Sequence, residues 1–142
     1  MPSRLLKITV ALAGLHGLHG TAMANDGQNA AALEHAVLDG KDIHVVLDLS
    51  RCVEHRSGNS GPEVRGSLHP DEFMVQKDHT IAFAVTHFTF RPDETLVNEF
   101  ASLRVQPNEK VTLRNIFLNA TSNAVLLEAE FDCKIGKGVT FY

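Results

Sequence analysis

The chain has 142 residues, 44% of them hydrophobic and 21% charged, with 13 Lys and Arg against 17 Asp and Glu for a net charge of −4. That length suits one domain, and the composition excludes a disordered polar chain. The acidic balance argues against a nucleic-acid partner or an anionic membrane surface, both of which require a basic footprint.

The first segment is organised differently from the rest. Arg4 and Lys7 are the only charged side chains before Asp26, and between them and Ala24 lies an apolar stretch, Ile8 to Leu18, followed by Ala22-Met23-Ala24. A basic start, a short apolar centre and a small-x-small exit are the three parts of a secretory signal. Residues 1–24 therefore read as a signal peptide and residues 25–142 as one exported domain, with a buried N-terminal helix as the competing reading. The apolar run is too short for a stable anchor across roughly 30 Å of hydrocarbon, and no later segment is apolar enough for a transmembrane anchor. Cleavage after Ala24 removes two bases and no acids, leaving a mature chain near −6.

Beyond the signal, Asn25 and Gln28 have the spacing of a capping box, and Ala30 to Leu38 places Leu33, Val37 and Ala30 on one helical face with Gly40 as the stop. The period then changes to two. Ile43, Val45, Leu47 and Leu49 alternate with His44, Val46, Asp48 and Ser50 in a half-buried strand ending at Cys52. Glu54 to His69 reads as a long polar loop. Phe73 to Gln76 suits a short strand, Lys77-Asp78-His79 a turn, and Thr80 to Phe90 a central strand, with apolar groups on both faces. Pro92-Asp93-Glu94 breaks it. Strands are expected over Asn98 to Val105 and Val111 to Leu118, separated by the Pro107-Asn108-Glu109 turn. Val125 to Ile135 shows the cleanest alternation and puts Cys133 on the buried side. Gly136 and Gly138 flank a turn before a last strand, Val139 to Tyr142. The connections are too short for parallel crossovers. The fold class is α+β: a curled or barrel-like antiparallel sheet of about six or seven strands with one N-terminal helix.

Cys52 and Cys133 are the only two cysteines, and an oxidising compartment favours one disulfide between them over a metal site or a catalytic thiol. Six His remain after the signal. None lies within three to five residues of another, so no metal site or cofactor is expected, and scattered surface His explain the count. His87 is in phase with Ile81, Phe83 and Val85. Its ordinary reading is a partly buried ring bonded to the backbone; its functional reading is a ligand contact or general base. His55 and His69 share the long loop and could face His87 or Asp48, which makes His87, His55, His69 and Asp48 the candidate ligand-binding residues. No hydrolase elbow, phosphate loop or dinucleotide fingerprint accompanies them, so no catalytic residue is assigned.

Several stretches together resemble a known family. Leu38-x-Gly40-Lys41-Asp42-Ile43-x-Val45-Val46-Leu47-Asp48-Leu49-Ser50-x-Cys52, then Thr80-Ile81-Ala82-Phe83 with His87-Phe88-Thr89, then Glu99-Phe100 with Arg104-Val105-x-Pro107, and finally Phe131-x-Cys133-x-Ile135-Gly136-x-Gly138-Val139-x-Phe141, are similar to the bacterial VirK family in order. The resemblance implies an exported, periplasmic or secreted protein of Gram-negative bacteria linked to virulence regulons. It implies structural roles for Cys52, Cys133, Gly40, Gly136 and Gly138, and no catalytic mechanism. The expectation is a non-enzymatic domain that binds an unknown protein partner or small ligand in host interaction. The alternatives are a small periplasmic hydrolase or metal-dependent enzyme using His87 and the 54–69 loop, and an accessory of envelope assembly.

Overall fold

The computed structural model describes residues 29–91 and 93–142, so the expected signal peptide, residues 1–24, and the expected Asn25–Gln28 capping pair lie outside it. Helix α1 (Ala30–Leu38) is capped by Asn29, whose Oδ1 accepts from the Ala32 N–H at 2.8 Å. Its C-terminus closes in a Schellman-type turn, with the Lys41 N–H on the Ala36 carbonyl and Gly40 at φ +71°. Ala30, Leu33, Ala36 and Val37 are buried, which is the face the helical period selects.

Nine strands follow among the described residues, not six or seven: β1 (Val45–Asp48), β2 (Val53–Glu54), β3 (Arg65–Leu68), β4 (Glu72–Val75), β5 (Ile81–Phe90), β6 (Leu96–Val105), β7 (Lys110–Asn119), β8 (Val125–Ile135) and β9 (Gly138–Phe141). Their order across the sheet is β3-β1-β9-β8-β7-β6-β5-β4, with β2 on β8, and the sheet curls into a half-barrel. Two of the additional strands come from segments without alternation. β2 is two residues long, and β3 lies inside the polar stretch 54–69, held to β1 by main-chain pairing from Val45–Leu68 to Asp48–Arg65. β1 is shorter than its alternation suggests, because a 3-10 turn at Leu49–Arg51 follows it.

Three of the hairpins use one turn design. In Gln76–Thr80, Arg91–Thr95 and Gln106–Lys110 the fourth residue (His79, Glu94, Glu109) has φ between +64° and +68° and donates its N–H to the first residue's carbonyl at 2.9 Å. Asp78, Asp93 and Asn108 each accept the N–H two residues on, at 3.1 Å. Each is a tight turn that ends on a left-handed residue, with an Asx side chain locking it.

One pairing departs from the antiparallel expectation. β8 and β9 touch in parallel over Lys134–Gly138 and Ile135–Val139. A long crossover is unnecessary for so short a contact. Gly136 (φ +76°) and Gly138 (φ +96°) let the chain make one small loop and resume its direction, after which β9 leaves β8 to pair with β1.

Cross-strand neighbours share a face, so two core rows can be read across the sheet: Phe83–Leu103–Leu113–Phe131 and Ile81–Val105–Val111–Cys133. All eight are buried with the apolar face of α1. The nine-residue helix is about 13 Å long, whereas the ten-residue strands run about 33 Å. A helix of that length can cover only part of β5–β8.

Cys52 and Cys133 form the disulfide, with Cα atoms 4.5 Å apart across 81 positions. A Cβ on Gly138 would lie 2.5 Å from the Cys52 Sγ, so glycine at that position serves both the backbone turn and the bridge packed on it.

Candidate functional site

The four residues singled out from sequence sit in separate pairings. Asp48 ends β1 and accepts from the Ser50 hydroxyl and, at 3.0 Å, from Arg65 Nε on β3. The Ser50 bond, seconded by the Arg65 charge, holds the Asp48 carboxyl below its usual range. His55 follows β2 and donates Nδ1 to Asp132 at 2.8 Å, with Glu130 at 3.7 Å. The Asp132 hydrogen bond, then the Glu130 charge, raises the His55 pKa. Burial disfavours ionised Asp132, yet bonds from His55 and Lys110 outweigh it and keep that carboxyl low.

His87 is on β5, directly opposite Glu99 of β6, and their side chains meet at 2.9 Å. The ring is 42% exposed, and its partner is a carboxylate, where the sequence suggested a backbone carbonyl. Glu99 is only 14% exposed and also accepts from Asn115 Nδ2 at 3.0 Å. The Asn115 Oδ1 is buried without a hydrogen-bond partner among the described residues.

His69 belongs to a group that sequence spacing missed. It donates Nε2 to Asp42 Oδ1, while His44 Nε2 lies 3.3 Å from Asp42 Oδ2. The His44 and His69 rings stack with centroids 4.4 Å apart and planes 5° from parallel. The ligand atoms of Asp42, His44 and His69 all lie within 4.8 Å of one another. The hydrogen bond between His69 and Asp42 raises the imidazole pKa and lowers that of the carboxyl. The legible half of this signal is Asp42-x-His44, two residues apart on an extended segment; the missing half is the β1–β3 pairing that brings His69 opposite.

A second surface also escaped the sequence reading. Phe88 and Phe90 of β5, Leu96 and Phe100 of β6, and Val125 of β8 are exposed, the first two to 61% and 65%. The register Phe90–Leu96, Thr86–Phe100, Phe100–Ile116 and Leu118–Val125 puts them with Ile116 and Leu118 on one face, opposite the core face. The Arg114–Glu128 ion pair, at 2.7 Å, borders it. Among the described residues no helix is long and apolar enough to cross a membrane.

Comparison with known proteins follows the fold. A profile described as VirK protein matches residues 27–123. The chain belongs to the VirK family. Its VirK-family architecture is also seen in the crystal structure of lpg1832, a VirK family protein from Legionella pneumophila, which superposes with a TM-score of 0.71 at 24% identity, covering 81% of this chain and 96% of that one. An uncharacterized protein y4wH of Sinorhizobium fredii is 30% identical over 111 residues, covering 78% of this chain and 77% of that protein. An uncharacterized protein from the pinF2 3' region of Rhizobium radiobacter is 26% identical over 110 residues, 77% of this chain and 76% of its own.

Proposed function

We propose that this VirK-family chain is exported, loses residues 1–24 in transit, and acts in the periplasm or the medium as a disulfide-bonded binding domain for a protein partner in host interaction. The observation that carries the reading is the apolar outer face of β5–β8. Three phenylalanines, with Leu96 and Val125, are exposed on one side of the sheet with the Arg114–Glu128 pair at their border, and an aromatic cluster of this kind is what protein interfaces favour. A broad outward face suits a protein better than a small ligand, which prefers a concavity. An enzyme built on His87 and loop 54–69 is the weaker reading, because His87, His55 and His69 engage Glu99, Asp132 and Asp42 respectively.

The test has two parts. N-terminal sequencing of the protein from periplasmic and medium fractions should begin at Asn25; a protein starting at Met1 in the cytoplasm would overturn export. A photocrosslinking residue at position 88 should capture one partner in cells, and the same residue at position 67 on β3 should not. The purified partner should bind the native chain and lose binding to the doubly substituted Phe88→Asp, Phe100→Asp protein. Equal capture from both positions, or binding indifferent to the double substitution, would refute the surface.

A further inference from the structure

We propose that Asp42, His44 and His69 form a surface site for one divalent ion from the nickel, copper and zinc end of the first transition row. The argument begins with strand geometry. Ile43 is buried, so its neighbours Asp42 and His44 both project to the opposite, solvent side of an extended segment. His44 and His69 lie one residue beyond the terminal β1–β3 pair Val45–Leu68, and their rings stack. Three donors thus converge from two adjacent strand ends 27 positions apart in sequence.

The platform is held independently of the donors. His44 exchanges both main-chain hydrogen bonds with Tyr142, at 3.0 and 2.9 Å, which fixes residue 44 to the end of the chain. The two ring Nε2 atoms now bracket one carboxylate, Oδ1 on one side and Oδ2 on the other. An ion substitutes for the protons at those Nε2 atoms, each imidazole keeping its remaining proton on Nδ1. Parallel rings present parallel lone pairs, so binding must swing them out of the stack; both rings are about half exposed, and solvent gives them room. Two neutral imidazoles and a carboxylate suit zinc, copper(II) and nickel in preference to magnesium or calcium, which favour all-oxygen sites. Three protein donors leave at least one position for water or an outside ligand. Two clefts flank the group, one lined by Asp42 and the other by His69, and Asp71 lines both.

The experiment is a titration of untagged protein with zinc sulfate by calorimetry, with histidine ring C–H signals followed by NMR. One ion should bind per chain. The His44 and His69 signals should move together, while those of His35, His55, His79 and His87 stay in place. His44→Ala and His69→Ala should each weaken binding at least about tenfold, with apo melting temperatures near that of the native chain, whereas His55→Ala should bind normally. Zinc should raise the melting temperature of the native chain and not that of the His44→Ala, His69→Ala double variant. The site is refuted if zinc and copper both fail to saturate the native chain, or if the double variant binds as tightly as the native one.

Discussion

Breaking the Cys52–Cys133 bridge should remove much of the domain's stability. The two cysteines are 81 positions apart, and the chain-entropy relation assigns closure of such a loop about 15 cal/mol/K, or about 4.5 kcal/mol at 25 °C. Real bridges often deliver less, so the expected loss is about 3–4.5 kcal/mol, against a typical domain total of about 5–15 kcal/mol. The structure gives little to replace it: β2, next to Cys52, meets β8 through two residue pairs only. The chain has no Trp and a single Tyr, so urea unfolding is best followed by far-UV circular dichroism, comparing oxidised protein, protein in reductant, and the Cys52→Ala, Cys133→Ala variant. The midpoint should fall and the urea slope should rise, because the released unfolded chain exposes more surface. A loss under about 1 kcal/mol with an unchanged slope would refute the loop-entropy argument.

Other outcomes can be checked in the same assay. Leu113→Ala, at the centre of a four-strand core row and fully buried, should cost about 2–5 kcal/mol; a cost below 1 kcal/mol would mean that row is not the core. Glu94→Gly and Glu109→Gly should each stabilise by roughly 0.5–1 kcal/mol, since both residues occupy left-handed turn positions that glycine adopts without strain; destabilisation would contradict the turn assignment. His79 donates to Glu34 across the α1 and β4–β5 elements at 3.0 Å, and that bond, with the charges of Glu34 and Asp78, raises its pKa above 6.5. Its stabilising contribution is therefore full below about pH 6.5 and disappears as pH rises through the higher folded value. The difference in urea midpoint between the native chain and Glu34→Gln should shrink over that interval, and a difference constant from pH 5.5 to 8.5 would exclude the pair as its source.

Much of the architecture was legible because periodicity reports burial. The faces of α1, β1 and the core-side half of β8 follow from Leu33 and Val37, from Val45 and Leu47, and from Phe131 to Ile135. The same alternation misleads in the outer halves of the long strands. Leu127 continues the phase of Phe131, and His87 that of Phe83, yet both are exposed, while the register shift between Phe117 and Leu118 turns Val125 to the outer face. β3 was illegible for a different reason. In Arg65-Gly66-Ser67-Leu68 only Leu68 packs against the core, and the strand is held chiefly through its main chain, which leaves no alternation in residue type. Without β3 the juxtaposition of His44 with His69 could not be read, and the histidines looked scattered. The paired cysteines needed only compartment chemistry.

The place of β9 has a consequence for how the molecule can be made. The four residues Gly138–Phe141 sit between β1 and β8, so β9 is the wedge that joins the early strands of the domain to its long meander. Until β9 is in place, β1 lacks one of its two neighbours in the sheet, so the sheet closes only after the meander that precedes β9 in sequence. The Val45–Phe141 pair spans most of the described chain, which makes this closure a non-local and therefore slow step of folding.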